Sequence, residues 1–165
     1  MHKNSDKKGS SLTIETIVRS ISIFLVLVTW AFVVYNFSTL PPQIPIHFDS
    51  AGLPDNYGRK EMIFILPVVG TVLIFWISGL SGALKYLNIP MQETKWFIST
   101  QYSRQLMTSL GLVLAIIFFI LVLKTHEVAE DNSKTLGKWF LPLVLVLIFT
   151  PTVFFLIKSR RNIQH

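Results

Sequence analysis

Four stretches of the chain carry no Asp, Glu, Lys or Arg. They hold 29 residues between Arg19 and Asp49, 23 between Glu61 and Lys85, 19 between Arg104 and Lys124, and 19 between Lys138 and Lys158. A bilayer core of about 30 Å takes about 20 predominantly apolar residues as a helix. The pattern therefore predicts four transmembrane helices, over about 17–37, 62–84, 106–123 and 139–157. In the third stretch, thirteen of the nineteen residues are Leu, Ile, Val or Phe. At roughly −0.3 to −0.6 kcal/mol each, they favour insertion by on the order of 4 to 8 kcal/mol. The apolar residues surround the helix instead of forming one stripe, which suits lipid plus a few packed neighbours. A lysine-bearing arm precedes the first stretch, as in a signal peptide. However, Ile21 to Phe37 exceeds the roughly 7–15 apolar residues of such a segment. The run Asn36-Phe37-Ser38-Thr39-Leu40-Pro41 is also a poor cleavage site, so a retained anchor is expected.

Composition sharpens this. Of 165 residues, 51% are apolar and 15% charged, with no cysteine. Soluble domains hold about 25% charged residues, so the shortage of charge, more than an excess of apolar residues, marks the class. Four spans leave no room for a separate soluble domain, and a single membrane domain over 1–165 is expected. The absence of cysteine excludes disulfide scaffolds and thiolate metal sites. The net charge of +6 does not point to nucleic acid, because the basic residues flank the apolar stretches. The partner they imply is the lipid bilayer.

Ten of the fifteen Lys and Arg fall on one side of the four-span arrangement: Lys3, Lys7, Lys8, Arg19, Lys85, Lys95, Arg104, Lys158, Arg160 and Arg161. The other side has Arg59, Lys60, Lys124, Lys134 and Lys138. An excess of Lys and Arg marks the cytoplasmic face. Both termini are therefore expected inside, with Leu40–Lys60 and Thr125–Gly137 as outer loops. Pro67, Pro142 and Pro151 are each expected to remove a backbone donor within a span. Ser78, Gly79, Gly82 and Ala83 form small-xxx-small pairs in the second span. They predict either a close contact, within the chain or in a homo-oligomer, or nothing beyond ordinary small-residue content. Trp96 and Trp139 suit membrane interfaces, and Trp30 and Trp76 suit lipid or packing. A helix starting near Pro90 and lying in the interface through Trp96, Phe97 and Tyr102 is also expected.

The most informative stretch runs from Leu40 to Lys60. Three prolines in five positions (Pro41, Pro42, Pro45) fix φ and favour extended neighbours. A stiff extended arm follows, with Ile44 and Ile46 expected on one side and His47 and Asp49 sharing a face. Gly52 permits a left-handed turn, and Pro54-Asp55 and Tyr57-Gly58 add turn chemistry. The stretch reads as a structured, Pro-rich extracellular loop between helices 1 and 2 of an all-α integral membrane protein.

Leu40, Pro41, Ile44, Pro45, His47, Phe48, Gly52, Asp55, Tyr57, Gly58 and Lys60, at this spacing before a membrane helix, resemble domain of unknown function 1648. That domain occurs in bacterial membrane proteins, including the immunity family of the sporulation-delaying-protein toxin. The likeness covers the first span, the loop and the start of the second, about a third of the chain. A weaker likeness continues at Gln101-Tyr102-Ser103-Arg104. The resemblance implies a multi-pass protein of the bacterial cytoplasmic membrane, with no established catalytic residues.

Candidate recognition residues are Pro45, His47, Phe48, Asp49, Gly52, Asp55, Tyr57 and Lys60. His47, Asp49 and Asp55 carry ligand chemistry for a divalent metal, which His126 and Glu127 would have to complete. The competing reading is structural: His47 hydrogen-bonds inside a folded cap, Asp55 turns the chain, and Lys60 snorkels or pairs with Asp55. The structural reading is preferred, and no cofactor is expected. No nucleophile elbow, phosphate loop or metalloprotease motif is present, so an enzyme is not expected. Ionisable residues, the usual mark of ion pathways, are missing from all four stretches. Thr29, Asn36, Thr71, Ser78, Thr108, Ser109, Thr150 and Thr152 could line a path or back-bond to their own helices. The leading expectation is a non-enzymatic membrane protein whose outer loop is a structural cap or recognition element. The alternative is a small transporter or a toxin-immunity or signalling protein. The orientation has a direct test. A reporter active only outside the cytoplasm, fused after His165, should stay silent in cells, and activity would overturn the four-span topology or its direction.

Overall fold

A computed structural model describes residues 3–83, 100–131 and 134–161 of the chain. Four helices follow in order: α1 (Lys3–Asn36), α2 (Ile65–Ala83), α3 (Thr100–Ala129) and α4 (Phe140–Arg161). All four are long and apolar enough to cross a membrane, over Ile14–Asn36, Lys60–Ser81, Ser103–Ala129 and Phe140–Lys158. Between α1 and α2 stand two antiparallel strands, β1 (Gln43–Phe48) and β2 (Pro54–Arg59), followed by a 3₁₀ turn, Lys60–Phe64. The architecture is thus mostly helical with a β-hairpin, where an all-α chain was expected. The expected interfacial helix near Pro90, with Trp96, lies outside the described residues. So does the end of the second span at Leu84.

Element ends also differ from expectation. The third helix reaches Ala129, so Thr125, His126 and Glu127 are helical rather than in a loop. It stops at Asp131, whose φ of 62° is the left-handed conformation common after a helix. The first helix ends at Asn36, leaving Phe37 outside it. There the Asn36 side chain donates to the Phe32 carbonyl at 2.9 Å. The Asn36 carbonyl in turn accepts from the Thr39 hydroxyl at 2.8 Å. Pro67 and Pro142 stand in the first turns of α2 and α4, where no intrahelical donor is needed. All three prolines lie within the spans, and of the three Pro151 is the one in a helix interior.

The helices meet along stripes of small and polar residues. On α1 the buried positions Glu15, Ser22 and Thr29 fall seven apart, followed by Val33. Ser22 and Thr29 bond the carbonyls of Val18 and Leu25 at 2.9 and 2.7 Å. Their hydroxyls therefore cost little in an apolar interior. A side chain added at Gly70 of α2 would press on the Phe118 ring of α3, with its Cβ only 2.9 Å from Cγ. Gly70 is therefore a point of close α2–α3 approach. Gly79 has open space around it, and Gly82 and Ala83 lie where side chains are not described. The Trp30 indole donates to the Thr71 hydroxyl at 3.0 Å, tying α1 to α2. Trp76 is exposed on the surface that would face lipid.

The apolar core gathers at the hairpin end, where Val33, Leu40, Ile44, Ile63 and Val122 form one buried cluster. Away from it the helices expose large apolar residues such as Phe24, Val72, Trp76 and Phe149, as membrane helices do. α4 packs chiefly on α3 and buries little of its surface. At the opposite end, Arg104 of α3 donates to Glu15 of α1 at 2.5 Å, and both are largely shielded.

Two glycines provide a contrast. Gly52 has φ +78° and lies against the Gly137 backbone, 3.3 Å from a would-be Cβ. Gly52→Ala should lower stability in detergent by roughly 1–2 kcal/mol from the left-handed conformation alone. Gly79→Ala, in an open helical position, should be neutral or stabilising by up to about 1 kcal/mol. Equal melting temperatures for the two variants would contradict the turn geometry.

Candidate functional site

The hairpin is the one feature a plain helical bundle would not need. Its strands pair Gln43 with Arg59, Ile44 with Gly58, Pro45 with Tyr57, His47 with Asn56 and Phe48 with Pro54. Ile46 has no partner opposite it, and the register shifts on both sides of His47. This bulge undoes strict alternation. Ile44 and Pro45 are buried and Ile46 is exposed, although Ile44 and Ile46 are expected on one side of a regular strand. The prolines fit because Pro42 and Pro45 donate nothing to the ladder. The Pro42 carbonyl, however, accepts from the Lys60 amide at 3.1 Å, closing the hairpin base.

At the turn, Asp49 does not join His47. Its carboxylate accepts from the amides of Ala51 (2.8 Å) and Leu53 (2.9 Å), and its own amide bonds the Leu53 carbonyl. It is a turn residue, with its Oδ1 accepting from both backbone amides. The turn is fixed to the α3–α4 connection, because the Leu136 amide donates to the Gly52 carbonyl at 2.8 Å. Leu136 is buried, and beside it Gly137 adopts φ +91° under the Trp139 indole. Both connections therefore meet at one end of the molecule.

His47 does find Asp55 across the hairpin, Nδ1 to Oδ1 at 2.6 Å. The pair is exposed, with 68% and 46% of the two side chains accessible. The expected buried network is thus a surface pair, which changes its energetic weight. Tyr57 is also exposed, whereas Phe48 is partly covered. Lys60 turns away from Asp55 and sets its ammonium 4.7 Å from the centre of the Phe37 ring. Arg59 pairs instead with Glu61 at 3.2 Å.

His126 and Glu127 do not join the hairpin histidine. His126 is buried on α3, with its ring edge-on to Phe32 at 5.3 Å and Nδ1 3.5 Å from Glu130. Its Nε2 is buried without a hydrogen-bond partner. Glu127 pairs with Lys124 at 2.6 Å. Among the described residues no three His, Asp or Glu side chains gather as a metal site would require.

Beneath β1 lies a cavity of about 470 Å³, walled by Ile46, Phe48, Met62, Leu66, Leu121 and Leu136 among others. His47 contributes to its wall from the hairpin, and Thr125 contributes from α3. Sequence reading missed this cavity, which depends on how the hairpin tilts over α2 and α3. It also missed the Glu15–Arg104 pair, 89 residues apart. The seven-residue spacing of Glu15, Ser22 and Thr29 was the available signal for that α1 face.

Residues 24–71 match the family model described as Domain of unknown function (DUF1648). In the structure that segment is the second part of α1, the whole hairpin and the first turns of α2. An uncharacterized protein of Archaeoglobus fulgidus is 28% identical over 78 residues, covering 42% of this chain and 43% of the relative. The match thus covers under half the length of that relative, and its source is an archaeon. No solved structure matches the chain.

The two sides of the hairpin should respond differently to mutation. Ile44, with 1% of its surface accessible, should cost about 2–5 kcal/mol when cut to Ala. His47→Ala and Asp55→Ala remove an exposed pair and should cost only about 0.2–1 kcal/mol each. Neither divalent metal nor a chelator should move the melting temperature. A loss at His47 equal to that at Ile44 would contradict this division.

Proposed function

We propose that this is a non-enzymatic multi-pass protein of the cytoplasmic membrane, both termini inside, whose hairpin is a rigid recognition element on the outer face. One observation carries the reading: the hairpin has a locked side and an open side. Leu40 and Ile44 enter the core, and Gly52 is bonded to the α3–α4 connection. His47, Asp55 and Tyr57 stand exposed on the same ribbon. A surface fixed from beneath loses little conformational entropy on binding, so it suits recognition. The matched domain coincides with this capped region rather than with α3 or α4, which supports a role for the hairpin itself.

Transport is the weaker reading. Several hydroxyls inside the spans, such as Ser22, Thr29 and Thr108, face inward as a pathway would want, but they are spent on their own helices. Ser22, Thr29, Thr71, Thr108 and Thr152 each bond the carbonyl four residues earlier. Glu15 and Arg104, ionisable groups inside two of the spans, neutralise each other.

The test uses a photocrosslinking amino acid at position 57 in living cells, with position 75 on the exposed face of α2 as control. The reading expects a discrete protein adduct from position 57 only, lost when His47 and Asp55 are both changed to Ala. No adduct, or the same adduct from position 75, would overturn it.

A further inference from the structure

We propose that the cavity beneath the hairpin holds one acyl chain of a bilayer phospholipid, entering sideways from the membrane along α2. The cavity measures about 470 Å³, within the range of roughly 300–1,000 Å³ that small-molecule sites occupy. Its wall is apolar except for His47 and the Thr125 hydroxyl. Polar headgroups and sugars therefore find little to bond inside it, whereas a hydrocarbon chain needs nothing more. Water would fill it poorly, because a buried water needs two to four polar partners.

The route of entry identifies the occupant. Ile65 lines the cavity and is itself more than half exposed. It heads an exposed apolar stripe on α2, with Val68, Val69 and Val72 three, four and seven residues on. That spacing is one helix face, and the face belongs to a span long and apolar enough to cross a membrane. The cavity is therefore the upper end of a surface that already faces acyl chains. Just above, Arg59, Lys60 and Glu61 end the apolar stretch, which is where phospholipid headgroups would lie. A chain lying along the stripe can run into the cavity while its headgroup stays level with these charges.

The experiment uses the full chain reconstituted in vesicles of phosphatidylcholine and phosphatidylglycerol containing a phospholipid with a diazirine midway along one acyl chain. After irradiation, lipid adducts are mapped by mass spectrometry. Labelling of Met62, Leu66 and Leu121 should exceed that of Phe75 and Trp76 severalfold. Ile65→Trp, which fills the mouth from an exposed position, should lower labelling of those three residues severalfold and leave Phe75 and Trp76 unchanged. Ile46→Phe closes the cavity from the hairpin side and serves equally should the first variant not fold. Three outcomes would overturn the proposal. One is equal labelling of cavity and helix-face residues, another is cavity labelling that survives both variants, and the third is cross-links between two copies of the chain at these positions.

Discussion

A two-stranded ribbon is at best marginally stable alone in water, and this one has only six residues in each strand. It is held because Ile44 leaves the ribbon and packs with Leu40, Val33, Ile63 and Val122, drawing on the hairpin base, the 3₁₀ turn and two helices, α1 and α3. Burying a side chain of that size is worth about 1.5–3 kcal/mol, which the exposed His47–Asp55 pair cannot match. The backbone bond from Leu136 to Gly52 then fixes the far end of the ribbon. With both ends fixed, the cavity beneath β1 and the exposed edge above it have defined positions.

The membrane spans solve a different problem. Lipid supplies no hydrophobic force between helices, so close packing and internal hydrogen bonding must hold them together. Here the crossings use Ser22 and Thr29 on α1, Gly70 on α2 and Thr108 on α3, with their hydroxyls satisfied locally. The Trp30–Thr71 bond and the Arg104–Glu15 pair add two polar ties, one between α1 and α2 and one between α1 and α3. Breaking one partner of such a shielded pair strands the other charge, so the pair holds position more than it adds stability.

Much of the architecture is legible in the sequence because it follows from composition and local sterics. The four uncharged stretches coincide with four long apolar helices, and Gly52 takes the left-handed turn its neighbours call for. What is not legible depends on tertiary placement. The bulge at Ile46 leaves Ile44 buried and Ile46 exposed, where strict alternation puts both on one side, and period-two reasoning cannot detect a bulge. Spacing puts Asp49 on the face of His47, but the tight turn holds its Oδ1 on the Ala51 and Leu53 amides while His47 pairs with Asp55. His126 and Glu127 read as loop residues until α3 continues through them. The contact of Gly70 with Phe118 depends on the α2–α3 crossing, for which a single sequence carries no register.

The central claim is that the hairpin is a rigid part of the membrane-embedded fold. Amide hydrogen exchange on the reconstituted full chain tests it most directly, read at Leu136, Lys60 and Leu53. These amides donate to Gly52, to Pro42 and to the Asp49 carboxylate. The account predicts that Leu136 and Lys60 exchange as slowly as amides in the middle of α3, and that Leu53 exchanges faster, at the exposed turn. Exchange of Leu136 and Lys60 at the rate of an unstructured peptide would contradict it.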